Sequence, residues 1–248
     1  MTNTLRDLAL TLLKTPTARD LQRLIGPSSL GAPCDYCLAR ELLEGGSDED
    51  VEPDEKPYWL GAVLGTATHL YLEHRAEILP YDVLTESRVT VGAIPGYGTV
   101  SGSMDLYVPK YKLPVDYKTT TREKLKNLQL AFDTKPTSRD PEPLLRARYT
   151  AKKYLGQIML YGKGAEAQGL EVENVGFVFI CRDGLTDNDV WAKELPYDAA
   201  YAEKVWARAN NIWLALQGGR ALDSFLSKIA CYPCSTTLER RKFSKKAY

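Results

Sequence analysis

The stretch "GTVSGSMDLYVPKYKLPVDYKTTT", residues 98–121, decides the fold. Two runs rich in β-branched and aromatic residues are joined by the short connection "PKYK", which reads as a pair of antiparallel strands. In the second run, alternation places Val115 and Tyr117 on one face and Asp116 and Lys118 on the other. Asp105 stands near the end of the first run, so the pairing brings it close to Asp116 and Lys118. Two carboxylates held together raise each other's pKa unless a cation lies between them. A divalent metal with oxygen ligands resolves that conflict, and a lysine beside it orients or deprotonates water or neutralises a transition state. Alone, Asp-x-Lys is a weak motif that an ordinary surface ion pair also satisfies.

The pattern on either side predicts the remaining elements. Leu5, Leu8, Leu12 and Leu13 recur at helical spacing near the start, and a short helix follows the loop containing "CDYC". Residues 46–57, "GSDEDVEPDEKP", form a polar acidic loop, and 58–79 read as a helix whose Leu60, Leu64, Leu70 and Leu72 sit among small residues that suggest tight packing. "VLTESRVTV" is a strand before the opening pair; "REKLKNLQLAF" and the long run ending at Gly169 are helices. "VENVGFVFICRD" and "VWAKELP" are two further strands, and a helix stopped by a glycine pair follows. This order, helices, three strands, helices, two strands, helices, implies an α/β fold with a mixed central sheet flanked by helices, in a single domain over 1–248.

Net charge is zero, so no global polyelectrolyte argument for nucleic acid exists, but the charges segregate. Residues 40–56 hold eight acids against two bases, whereas 118–163 hold eleven bases against four acids. That segregation suits a basic groove on a neutral protein, as well as a solvated helix face. No uninterrupted apolar stretch is long enough for a signal or membrane segment, and the expected location is the cytoplasm.

Two further signals flank the opening motif and make four in chain order. "GTATHLYLEH" carries Gly65, His69 and Glu73 at four-residue intervals; "GSMDLYV" carries Asp105; "VDYK" carries Asp116 and Lys118; "YLGQIMLYGKG" carries Gln157 and Tyr161. In this order and at these intervals they resemble the PD-(D/E)xK nuclease superfamily, and within it the RecB-like exonuclease branch, with a core over about 58–195. The resemblance implies a restriction-endonuclease-like core and a Mg²⁺- or Mn²⁺-dependent deoxyribonuclease. His69, Asp105 and Asp116 would be metal ligands, together with the backbone carbonyl of Tyr117, and Lys118 the catalytic lysine. Gln157 and Tyr161, one turn apart on a helix, would orient the lysine and the DNA backbone. Glu73 shares the face of His69 and would serve as an outer or second-metal ligand, while His74 has no motif position.

Cys34 and Cys37, in "CDYC", and Cys231 and Cys234, in "CYPC", make two Cys-x-x-Cys pairs. In a reducing compartment such pairs predict a four-thiolate site for Zn²⁺ or an iron–sulfur cluster. The site would join segments 26–45 and 218–240. The arrangement is similar to that of the iron–sulfur exonucleases of the RecB-like branch, including CRISPR-associated ones, which implies a [4Fe-4S] cluster with Zn²⁺ as the alternative. Many of those proteins divide their cysteines one early and three late, whereas here the division is two and two. Cys181, in "FVFIC", reads as a buried strand residue.

Arg122, Lys124, Lys126, Arg146, Arg148, Lys152 and Lys153 bracket the Gln157 helix and would line a path for DNA phosphates, with Tyr149 and Tyr154 either stacking on bases or lying in the core. The expected activity is therefore exonucleolytic, on linear or single-stranded DNA ends, in recombination, repair, or phage or CRISPR DNA processing. A helicase or recombination partner would supply any unwinding, since no P-loop is present. The competing readings are a structure-selective endonuclease, a non-catalytic DNA-binding protein retaining the fold, and a zinc-stapled scaffold.

Overall fold

The computed structural model describes residues 5–6, 25–45, 59–76, 78–80 and 82–226. The acidic loop at 46–57, most of the expected N-terminal helix, and Cys231 and Cys234 lie outside the described residues. The elements run α1 (Pro27–Leu30), α2 (Asp35–Gly45), α3 (Trp59–Ala76), β1 (Leu84–Ile94), β2 (Gly98–Val108), β3 (Leu113–Thr120), α4 (Arg122–Asp133), α5 (Glu142–Ala167), β4 (Asn174–Cys181), β5 (Val190–Pro196) and α6 (Ala199–Gln217). The strands form one five-stranded sheet in the order β1-β2-β3-β4-β5, antiparallel except where β3 and β4 run parallel. This is the mixed sheet flanked by helices that the order of patterns implied, and the last two strands form the antiparallel pair.

Local chemistry accounts for the boundaries. Thr121 ends β3 and caps α4 by accepting from the Lys124 backbone N–H at 3.4 Å, and Asp198 does the same for α6 with Tyr201 at 2.9 Å. The β1–β2 turn uses Gly96 at φ 74°, a conformation a side chain would oppose. α4 and α5 cover one part of the sheet through Leu125, Leu128, Ile158 and Met159, which pack with Val89, Met104, Phe177 and Phe179. A second cluster joins Val91, Ile94 and Val100 to Leu30, Leu38 and Leu42 and to Ile212 and Trp213 of α6. Gly31 lies so close to α5 that a Cβ there would meet Lys153 O and Gln157 N. Gly156 of α5 packs against Gly31 in return, so two glycines set this close approach beside Gln157.

Two expectations are corrected. The leucines of α3 do not pack tightly: Leu60, Leu64 and Leu70 are 49%, 46% and 60% exposed. The helix meets the sheet through its glycines, since Cβ atoms at Gly61 and Gly65 would touch Arg182 and Thr119. Small residues set the close approach, and Leu60, Leu64 and Leu70 face outward. Arg148, expected on a DNA path, is buried: its Nε donates to Asp140 at 2.5 Å, and its other nitrogens donate to Thr134 and to the carbonyls of Ala131 and Lys135. Five donors in a fixed fork suit that structural task, tying the loop after α4 to α5. Among the described residues, no helix is long and apolar enough to cross a membrane.

The loop between β4 and β5 is held by Asp189, which accepts from Arg122 Nε and a terminal guanidinium nitrogen at 2.6 and 2.7 Å and from the backbone N–H groups of Leu185 and Thr186. Arg122 first, then the Leu185 N–H, holds the Asp189 carboxyl well below the usual carboxylate range. A depressed folded pKa contributes stability that is present above the unfolded value and lost as pH falls below it. Asp189→Asn is therefore expected to destabilise the protein at neutral pH and to flatten its loss of stability in acid. Denaturant titrations of both proteins from neutral pH down through the carboxylate range check this.

Candidate active site

β3 pairs with β4 from Val115 to Thr120, but with β2 only at Val115, Pro114 and Leu113. The two strands part at Asp105 and Asp116, and the side chains of both turn into the opening, both buried. Asp105 Oδ2 accepts from the Tyr117 backbone N–H at 2.6 Å, replacing a bond that the missing strand pairing would have supplied. Its other oxygen, Oδ1, lies 3.2 Å from His69 Nδ1, delivered by α3, and His69 meets the Tyr117 ring edge-on at 5.9 Å.

On the α5 side, Lys118 Nζ lies 2.6 Å from Asp116 Oδ2 and donates to Gln157 Oε1 at 3.1 Å. Gln157 Nε2 donates to Asp116 Oδ1 at 3.1 Å and to the Tyr161 hydroxyl at 3.2 Å. Lys118 Nζ also stands 4.8 Å from the centre of the Tyr154 ring. One glutamine thus serves both charges, accepting from the lysine and donating to the carboxylate. Tyr154, Gln157 and Tyr161 share a face because they recur every three and four residues along α5.

The structure brings together His69, Asp105, Tyr117, Asp116, Lys118, Gln157 and Tyr161. It also brings in Glu86 from β1, which sequence reasoning missed: its Oε1 is 3.8 Å from His69 Nδ1. Ligand-type atoms of His69, Glu86 and Asp105 all lie within 4.8 Å of one another, close enough for these three residues to share a metal ion. Glu73, one turn past His69, and Asp116 are outside that group. In sequence Glu86 is one polar residue in "LTESRV"; the only signal was its place in the strand next to that of Asp105.

Electrostatics mark the site as one that carries charge against burial. Burial pushes the Asp116 carboxyl up, with Lys118 opposing and Asp105 adding to the rise. Burial also opposes charge on Lys118, but Asp116 beside it outweighs this and keeps the amine an ammonium. Asp105 first, and then Glu86, raises His69 to about 9 against the effect of burial. Two buried atoms, His69 Nδ1 and Asp116 Oδ2, have close charged neighbours but no properly directed hydrogen bond. A nitrogen and oxygens of this kind, converging and under-satisfied, fit a divalent cation.

Of the expected DNA-path cations, Lys124, Lys126 and Lys152 are exposed. Arg122 is bound to Asp189 and Arg146 to Glu142. Cys34 and Cys37 stand at the start of α2 in a cluster with Tyr36, Tyr149, Leu222, Phe225 and Leu226, the last residues described before Cys231. Cys181 is buried in the main core, and Tyr149 is also buried.

No protein-family model matches the sequence, and no curated protein does. Among solved structures, the chain is similar to an alkaline exonuclease from Laribacter hongkongensis, at 10% identity and TM-score 0.45, over 80% of this chain and 90% of that one. The structure of that enzyme in complex with dAMP aligns at 14% identity and TM-score 0.43 over the same shares. A phage-related exonuclease from Haemophilus somnus aligns at 12% identity and TM-score 0.47, over 80% of this chain and 96% of that one. Likenesses at this distance leave the activity to be argued from the side chains.

Gln157→Leu preserves volume but removes the acceptor of Lys118 and a donor to Asp116. Leaving buried charged groups short of a partner costs about 1–3 kcal/mol, and chemical denaturation is expected to show a loss of that size.

Proposed function

We propose that the chain is a metal-dependent DNA nuclease, an exonuclease acting on linear or single-stranded ends, with residues 1–248 forming one nuclease domain. The observation that carries this reading is the buried Asp116–Lys118–Gln157 network beside the Asp105–His69 pair, at the point where β2 leaves β3. Structural ion pairs are satisfied on one another. Here His69 Nδ1 and Asp116 Oδ2 have charged neighbours but no directed hydrogen bond, in an opening between strands.

His69, Asp105 and Asp116, with the Tyr117 carbonyl, are the residues that would hold Mg²⁺ or Mn²⁺. When bound, such a cation supplies the positive charge that a phosphodiester and an attacking water both require. Lys118, kept protonated by Asp116, is suited to stabilise negative charge growing on the phosphoryl oxygens and is poorly suited to remove a proton. Gln157 holds both the lysine and the carboxylate, and Tyr161 holds Gln157. In this reading water would attack phosphorus in line, its proton passing to solvent, while the bond to the 3′ oxygen breaks and that oxygen takes up a proton, so that the products carry a 5′-phosphate and a 3′-hydroxyl. Exposed Lys124, Lys126 and Lys152 give the phosphate backbone sequence-independent contacts.

Asp116→Ala and Lys118→Ala are each expected to abolish Mg²⁺- or Mn²⁺-dependent degradation of end-labelled linear DNA, with the purified proteins still folded. Retained cleavage in both overturns the assignment. Circular single-stranded DNA should be untouched, whereas its cleavage would identify an endonuclease.

The four cysteines are assigned to one structural metal site, a [4Fe-4S] cluster or Zn²⁺. Leu222, Phe225 and Leu226 pack with Cys34 and Cys37, so the chain leading to Cys231 and Cys234 leaves from beside the first pair. Cys231→Ser is expected to lower the melting temperature before it alters the cleavage chemistry. Iron, acid-labile sulfide and zinc analysis of the purified protein identifies the metal.

A further inference from the structure

Glu86 stands on β1 in a conformation that a glutamate side chain disfavours. Its φ is 44°, in the left-handed region, two residues into a strand that begins at Leu84 and with no glycine or asparagine to ease it. The residues on either side pair normally, Thr85 with Leu106 and Ser87 with Met104, so Glu86 is opposite Asp105. On the other side of β2, Leu106 pairs with Val115, and the next position sets Asp105 opposite Asp116. Three carboxylates therefore follow one another across three adjacent strands, an arrangement that like charges oppose. His69 presents one nitrogen, Nδ1, to two of them, at 3.2 Å from Asp105 and 3.8 Å from Glu86. Asp116, at the end of the row, keeps a fully buried oxygen without a directed hydrogen bond.

We propose that Glu86 is itself a ligand, and that His69, Glu86 and Asp105 form the primary seat of a divalent cation, with Asp116 reaching it from the lysine side. This rests on the metal-dependent reading of the site and adds to it a residue from β1. The charge of Glu86 matters in this role, not only its shape. A glutamate that merely steadied His69 would need just a hydrogen-bond acceptor, which glutamine also provides. Strained backbone in a functional strand is retained where it aims a side chain that the site requires.

The test is isothermal titration of the full-length protein with Mn²⁺, for wild type, E86Q and E86G, beside their metal-free melting temperatures. E86Q is expected to weaken Mn²⁺ binding at least tenfold. E86G, which takes the left-handed angle without strain, is expected to lose Mn²⁺ affinity to a similar extent while melting no lower than wild type. If E86Q does not fold, E86G carries the comparison. Wild-type Mn²⁺ affinity in either folded variant overturns the inference. The nuclease reading would survive that result, because it stands or falls on cleavage by Asp116→Ala and Lys118→Ala. Absence of Mn²⁺ binding in wild type itself overturns the inference and the metal-dependent reading together.

Discussion

The hydrogen bond from the Tyr117 N–H to Asp105 Oδ2, 2.6 Å long and fully buried, is the interaction on which the site depends. β3 is bound to β4 from Val115 to its end at Thr120, but β2 leaves it after three pairs, and an unpaired strand N–H in the interior is costly. A carboxylate fills the gap. The choice has a consequence that a neutral side chain would not bring. Asp105 is locked with one oxygen against the backbone and the other free to face His69, while Asp116, the adjoining residue of β3, is forced into the same opening. The separation of two strands thus gathers buried charge into a small polar chamber beside an apolar core.

Such a chamber opposes folding unless its charges are matched. Burial raises the energy of every ion in it, and the two aspartates repel one another. Lys118 answers Asp116 and His69 answers Asp105, but the match is incomplete, since atoms on both sides lack directed partners. Stability must then come from elsewhere: the cluster around Phe177 and Phe179, and the second one joining α1, α2 and α6 to the β1–β2 hairpin. A protein selected for stability alone would fill this space with apolar residues of similar volume, often without loss. The retained charges are intelligible if their use lies outside folding.

The element order was legible because it rests on periodicity and on turn residues, which local sequence encodes directly. The meeting of Asp105 with Asp116 was legible for the same reason: a short connection and a period of two leave little freedom. What escaped notice depends on tertiary contacts. α3 looked like a packed leucine helix, yet its glycines make the close contacts, because the approach is limited by Thr119 of β3 and by Arg182 just after β4, both distant in sequence. Arg148 sat in a basic run and looked exposed, until Asp140 and the carbonyls of Ala131, Thr134 and Lys135 claimed it. Glu86 was invisible because its left-handed backbone carries no glycine or asparagine to announce it. Cys231 and Cys234 lie outside the described residues, so the four-cysteine expectation meets the structure only at Cys34 and Cys37.

The aromatic core reaches the chamber through Tyr154. Its ring lies 6.2 Å from Phe177 and 6.1 Å from Phe179, the two β4 residues in register with Asp116 and Lys118. The same ring faces the lysine ammonium at 4.8 Å. Tilted rings at these distances pack with defined geometry, so the position of Tyr154 is set by the core rather than by the site. Lys118 has a flexible four-carbon stem, and an ammonium alone would sample many positions. Confined by Tyr154 on one side, Gln157 on another and Asp116 on a third, it has little room to move. A cation fixed before substrate arrives avoids the reorganisation that water would undergo around a growing negative charge. The phenylalanines of β4 therefore act on the site without touching it: they hold the ring that limits where the lysine's charge can be.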